Sequence, residues 1–458
     1  MAGELNPPRV RPAIRRIAIW VTPVLLFIAA WQIWDAIEAQ RVERALASVL
    51  GSPTPMQVRP FGKDDGAGRY YAAAAMLALA VSFDDRLQAA PGGPIVNATT
   101  LMREALTQGK EPTSEAIQSA AKQLDRGRPV FDLMARAGAL PFNGFDPGTD
   151  FNYRFSGLLN VNRLAGLEAM NLLITGRADQ SASVLHDRLR SLRAFDQQNS
   201  LTQMIRTRLV QEISTDLGAL AGRMTVSEAR LTDLDRALSE TYPADALERT
   251  IRGAALWWHQ QLRSMWEGRG SQGFITLIGP LLRPVLRHHA AMRLQTASDA
   301  LATARLRWPN RINAMNAIPE HRSIVPELVP FVAAWRETSQ VRDLTIRMAE
   351  GIAAVRCARL VIAIERYRLA RGTLPRALSD VVNPSNEEWL DPFTGKSLLY
   401  AQTDAGYVVF SVGRDLKDEG GKLAADLPRG RLPGTLPAPD VGVRVRRLPP
   451  ASSRLAQP

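Results

Sequence analysis

Residues 17–34, Ile-Ala-Ile-Trp-Val-Thr-Pro-Val-Leu-Leu-Phe-Ile-Ala-Ala-Trp-Gln-Ile-Trp, carry no charged side chain. As a helix they reach roughly 27 Å, close to the hydrocarbon thickness of a bilayer. Arg9, Arg11, Arg15 and Arg16 precede the run, whereas Asp35, Glu38 and Glu43 mix with Arg41 and Arg44 after it. That asymmetry predicts a cytoplasmic N-terminus (1–16), a transmembrane signal anchor (17–37) and export of everything that follows. Trp20, Trp31 and Trp34 sit near the two ends, at the depth where amphipathic rings prefer to lie. A cleaved signal peptide would have a shorter apolar core and a small-x-small site, and Ala29-Ala30 is followed by bulky Trp31. The expected location is the bacterial inner membrane, crossed once, with the bulk of the chain periplasmic.

Composition bounds the partners. The net charge is +12, and only six of the 57 basic residues are lysine. The arginines are spread along every helical segment instead of clustering with aromatics on one face, which argues against nucleic acid as a partner. Anionic lipid, or an envelope polymer, suits a basic exported chain better. A single cysteine, Cys357, excludes an intrachain disulfide. Its apolar helical setting reads as a small core residue.

Beyond the anchor the apolar spacing is helical. The anchor helix is expected to run on to Leu50, where Gly51-Ser-Pro-Thr-Pro55 stops it. Helices are predicted near 70–87, 99–108, 113–137 (with Thr113 or Ser114 as cap), 156–175, 178–198, 201–222, 226–240 and 244–267. Gly176 and Gly222 are placed to act as stops. These helices form the expected extracytoplasmic body, 38–325, an array of helical hairpins without a repeated residue signature. Residues 272–289 are apolar but too short to span, and read as a buried joint or an interfacial segment. A long helix from about 330 ends at Arg371, before Gly372. The period then changes: 396–402 and 407–413 read as strands around Thr403-Asp-Ala-Gly406. Residues 428–458, with seven prolines and six arginines, read as a disordered basic tail that holds at most a short strand at 441–445. The fold class expected is mainly α, with a small C-terminal antiparallel hairpin or sheet packed on a long helix.

Several motifs in 360–426 occur in a telling order. Tyr367-Arg-Leu-Ala-Arg-Gly372 closes a helix and Leu374-Pro375 leads to Leu378 and Val381. Asp391-Pro-Phe-Thr-Gly395, Leu399-Tyr400 and Gly406-Tyr-Val-Val-Phe-Ser411-Val-Gly413-Arg-Asp415 follow. Together they resemble the C-terminal part of the major pseudopilins of type II secretion. The resemblance covers about one seventh of the chain. It implies a small α+β cap over residues 326–427 and a calcium-binding loop. Calcium needs six to eight oxygens on a bent backbone. Asp415, Asp418 and Asp426, with Gly420-Gly421 for the bend, are the expected ligands, opposed by Lys417 and Lys422.

No motif names a reaction. His186, His259, His288, His289 and His321 show no metal-ligand spacing. Gly268-Arg-Gly-Ser-Gln-Gly273 follows a helical, Trp-rich segment and not a strand, so it reads as a turn. No Walker loop or nucleophile elbow is present. Residues 138–155 read as an aromatic loop in which Phe142, Phe145, Asp146, Phe151 and Tyr153 form either a recognition surface for a peptide or sugar or a packing wedge. The expectation is a non-catalytic helical scaffold that binds the bilayer and envelope or secretion proteins. A tethered hydrolase with paired carboxylates is one alternative. A helical carrier of lipid or lipoprotein is another.

Overall fold

The computed structural model describes residues 11–51, 66–83, 93–140, 151–192, 200–223, 225–269, 279–319, 337–423 and 439–447. Among these the chain forms twelve α-helices and one three-stranded antiparallel sheet. It divides into two compact units, each built from separated stretches of sequence. One comprises 1–55, 251–302 and 318–339; the other comprises 56–250, 303–317 and 340–458.

The first unit is organised by α1 (Arg11–Leu50), one helix that continues through Pro23. It contains a stretch long and apolar enough to cross a membrane. From Val21 to Ile28 its large apolar side chains are exposed, by 65% at Leu26 and Phe27. From residue 35 the pattern inverts. Asp35, Glu38, Val42, Ala45 and Val49 are buried, and their alternating three- and four-residue spacing traces one narrow stripe. Facing this stripe is α10 (Arg283–Ala304), with Leu286, Ala290, Leu294 and Ala297 buried. The C-terminal part of α9 (Ala246–Trp266) adds Leu262, Met265 and Trp266. Arg287 lies over the ring of Trp266 and Arg293 over that of Trp258.

The second unit begins with an α-helical layer. α2 (Gly66–Phe83) packs on α4 (Ser114–Gly138) and α5 (Phe151–Ile174), and α3 (Gly93–Thr107) packs beside both of the latter. Alanines let α2 approach closely, for Ala67, Ala74, Ala75 and Ala78 are fully buried. Thr113 caps α4 by accepting the Ala116 N–H, as its position in the sequence predicts. Gly176, at φ +77°, ends α5 before α6 (Ala178–Ser191). α7 (Ser200–Arg223) and α8 (Glu228–Ser239) follow, and α11 (Asn310–Ala317) belongs to the same unit. α12 (Glu337–Arg371) carries a buried run from Ala349 to Ile364 and stops at Gly372, φ +73°. Each Leu withdrawn from water in such a core contributes about 1.5–3 kcal/mol.

Charge is also buried in this layer. Asp216 of α7 accepts from Arg103 Nε at 2.7 Å and from Arg188 Nη1 at 2.6 Å. Asn162 holds Arg188 Nε at 3.1 Å. Burial alone would raise the Asp216 carboxyl, but the two guanidinium groups override it and hold the pKa below the ordinary carboxylate value.

The sheet has the order β1-β2-β3, formed by Leu399–Thr403, Gly406–Ser411 and Val441–Arg446. The hairpin pairs Thr403 with Gly406 and Leu399 with Phe410. β2 is buried along its whole length. The third strand lies where the sequence placed a short strand, 441–445, inside the stretch otherwise expected to be a disordered tail. Only alternation at Val441, Val443 and Val445 announces it, and the prolines and arginines around it mask that period. Pairing with β2 and packing on α7 make it a strand. Gly222 likewise departs from expectation. It does not stop α7, which runs on to Arg223; it lies where the Arg446 carbonyl meets the helix.

Candidate functional site

The end of β2 is tied down before the loop begins. Asp391, in the turn Asp391-Pro-Phe-Thr-Gly395, is buried. Its Oδ1 accepts from the Phe393 N–H at 2.8 Å and from Ser411 Oγ at 2.9 Å, and Oδ2 accepts from the Val412 N–H at 3.3 Å. Burial raises the Asp391 carboxyl pKa, and those hydrogen bonds work the other way. The turn thus fixes where the chain leaves the sheet.

The following loop is tightly bent. Leu416, Gly420 and Gly421 take φ of +60°, +72° and +77°. Only glycine adopts this region without steric cost, so Leu416 is the strained member of the three. Asp415 Oδ1 accepts the Lys417 N–H at 3.2 Å, and Asp418 Oδ1 accepts the Gly420 N–H at 2.8 Å. Both carboxylates therefore spend one oxygen on holding their own turn.

Asp440, at the start of β3, closes the loop from the other side. Its Oδ2 accepts the Gly421 N–H at 2.8 Å, and its own N–H donates to the Lys422 carbonyl at 3.1 Å. Arg444 adds a bond to the Gly421 carbonyl at 2.6 Å. Burial, with Glu419 and Asp418 nearby, pushes the Asp440 carboxyl up to about 6. Asp415 Oδ2, Glu419 Oε2 and Asp440 Oδ1 are buried without a hydrogen-bond partner. Orphaned carboxylate oxygens are costly unless a proton or a cation meets them.

Of the three ligands expected for calcium, Asp415 and Asp418 belong to this loop and Asp426 lies outside the described residues. No three His, Cys, Asp or Glu side chains are grouped to hold a metal ion among the described residues. The acidic contact that does form is Glu419 with Asp440. Sequence spacing points to neither residue, because 21 positions separate them and Asp440 sits among prolines. A calcium ion here would have to draw most of its oxygens from main-chain carbonyls and water.

Comparison with protein-family models, with curated proteins and with solved structures found no match.

Of the residues expected to form an aromatic recognition surface, Phe151 and Tyr153 alone fall in described secondary structure. Phe142, Phe145 and Asp146 lie outside the described residues. Phe151 and Tyr153 belong to the first turns of α5, a helix and not a loop. The reason is readable in hindsight: Asp150 is a favoured residue just before a helix, and the density of aromatics hid that start signal. Among the described residues the histidines do not converge, and His321 lies outside them. His288 Nδ1 is 3.0 Å from Glu38 Oε1, His186 lies beside Asp187, and His289 is buried in α10. Burial, with Arg293 and His288 nearby, lowers the His289 pKa to about 4. A cavity bordered by Leu217, Val226, Val361 and Glu365 has a free volume of about 10 Å³. That is the room of a single water, too little for a sugar or an acyl chain.

Proposed function

We propose that this chain is a single-pass inner-membrane protein whose exported helical units act as an interaction scaffold, accessory to envelope assembly or secretion. The observation that carries the reading is the inversion within α1. One continuous helix exposes apolar side chains on every side from 21 to 30 and then buries a polar-containing stripe from Asp35 onward. An apolar helix exposed all round is stable only where lipid replaces water. The arginines at 9, 11, 15 and 16 favour a cytoplasmic N-terminus. The likeness of the C-terminal motifs to the major pseudopilins, together with the helix, hairpin and acidic loop found there, supports a place among secretion or envelope proteins.

Calcium belongs to the same proposal. Glu419 and Asp440, the two carboxylates that meet at the loop, are the side chains that would hold it, with main-chain carbonyls and water completing the set. When bound, the ion would supply positive charge that joins the loop to the start of β3.

Reporter fusions after the last residue test the topology. Active alkaline phosphatase with a dark fluorescent protein is the expected pair, and the reverse overturns the proposal. Cross-linking in intact cells should then recover the same envelope partner in repeated experiments; recovery of none rejects the scaffold.

A further inference from the structure

The helices α1 and α10 run in the same direction with a constant register. Asp35 Oδ2 meets Arg283 Nη2 at 2.8 Å and Arg287 Nη1 at 2.9 Å. Glu38 meets His288 at 3.0 Å, and the hydroxyl of Ser48 meets that of Ser298 at 2.5 Å. The pairs 38–288 and 48–298 are each offset by 250, and 35 falls between its partners 283 and 287 at the same offset. Trp34 lies beside the ring of His288, one turn away from that alignment.

Extended one turn backwards, this register sets residues 279–282 beside residues 29–32, near the end of the apolar run. Those four residues form a turn continuous with α10: the Leu282 N–H bonds the Gly279 carbonyl, and the Leu286 N–H bonds that of Leu282. Leu281 on this turn is 71% exposed, more than any other large apolar side chain described. The charges beside it do not oppose burial in lipid, because Arg283 and Arg287 are both paired with Asp35. Ion-paired arginines at a helix end tolerate the headgroup level.

We propose that the turn 279–282 is a second membrane contact, in which Leu281 enters the boundary between headgroups and acyl chains next to the anchor. The ligand is the bilayer itself. This rests on the reading of α1 as a membrane span. The clamp of Asp35 by Arg283 and Arg287 then sets the depth at which the first unit meets the membrane. An interfacial contact of this kind penetrates about 5–10 Å.

The test uses the full chain in liposomes containing anionic lipid. A fluorophore is attached at Leu281→Cys, at Leu25→Cys in the apolar run, or at Gln295→Cys, an exposed site on α10 about 21 Å beyond Leu281. The native Cys357 is fully buried and stays unlabelled in the folded protein. Lipids carrying a shallow spin label should quench the Leu281→Cys probe, and lipids labelled near the acyl-chain end the Leu25→Cys probe, each at least roughly twofold, with Gln295→Cys unaffected by either. Quenching at Leu25→Cys without quenching at Leu281→Cys overturns the inference while sparing the anchor. Absence of quenching at both removes the anchor and the inference together. Efficient cross-linking of Leu281→Cys to a second copy, without quenching, would show that protein and not lipid covers the turn, and also overturns it.

Discussion

Asp216 and Arg188 form an ion pair of 2.6 Å in which both side chains are almost wholly withdrawn from water. The pair is unequal. Asp216 has a second cation in Arg103, whereas among the described residues Arg188 has only Asp216 as an anionic hydrogen-bond partner. Truncating the acid strands a buried guanidinium; truncating the arginine leaves the acid still paired. Asp216→Ala should therefore cost about 3–5 kcal/mol, and Arg188→Met clearly less, with the double variant recovering part of the loss. Thermal or urea melts of the full chain in detergent check this ordering, and equal costs would refute it.

Two glycines of α7 admit β3. A Cβ at Gly218 would come within 2.5 Å of the Arg444 carbonyl oxygen, and one at Gly222 would overlap the Arg446 carbonyl. Backbone cannot yield as a side-chain end can. Gly222→Ala should lower stability by about 1–3 kcal/mol. Hydrogen exchange should show lost protection in β3 and the β2 amides facing it, with α2 to α5 unchanged. Unchanged protection of β3 would refute the close approach.

His289 gives a pH dependence whose sign is fixed. Its folded pKa, about 4, lies below the ordinary histidine value, so the unfolded chain binds more protons between about pH 4 and 6.5. Stability should fall as pH drops through that window, by about 3 kcal/mol in all. His289→Asn should flatten this part of the profile. A parallel slope in both proteins would remove His289 as its source.

Asp440 works in the opposite sense. Its folded pKa, about 6, lies above the unfolded value, so its ionisation weakens the fold as pH rises from about 4 to 6 and beyond. Asp440→Asn should raise the melting temperature at pH 7.5 in chelator by about 1–4 °C. Calcium should raise that of the parent chain and leave Asp440→Asn and Glu419→Gln unmoved. A calcium shift preserved in both variants would move the ion elsewhere.

Features governed by near neighbours could be read from the sequence. The cap at Thr113, the stops at Gly176 and Gly372, the hairpin around Thr403–Gly406 and the apolar run of α1 each depend on residues within a turn or two. What escaped depends on distant partners. Gly222 looks like a helix stop until the Arg446 carbonyl is found against it. Asp440 looks like a loop residue until it receives the Gly421 N–H. A short strand at 441–445 was readable from its alternating valines, but nothing local named β2 as its partner. The stripe from Asp35 to Val49 was legible as helical, but nothing local names α10 as its cover.

The pairing of Asp35 with Arg283 and Arg287 also has a temporal side. Nearly 250 residues must leave the ribosome before the acid meets its guanidinium partners. Loop closure over such a separation is entropically slow. The helices from 66 to 239 can meanwhile collapse among themselves, so the stalk next to the lipid should be a late piece to settle during biogenesis.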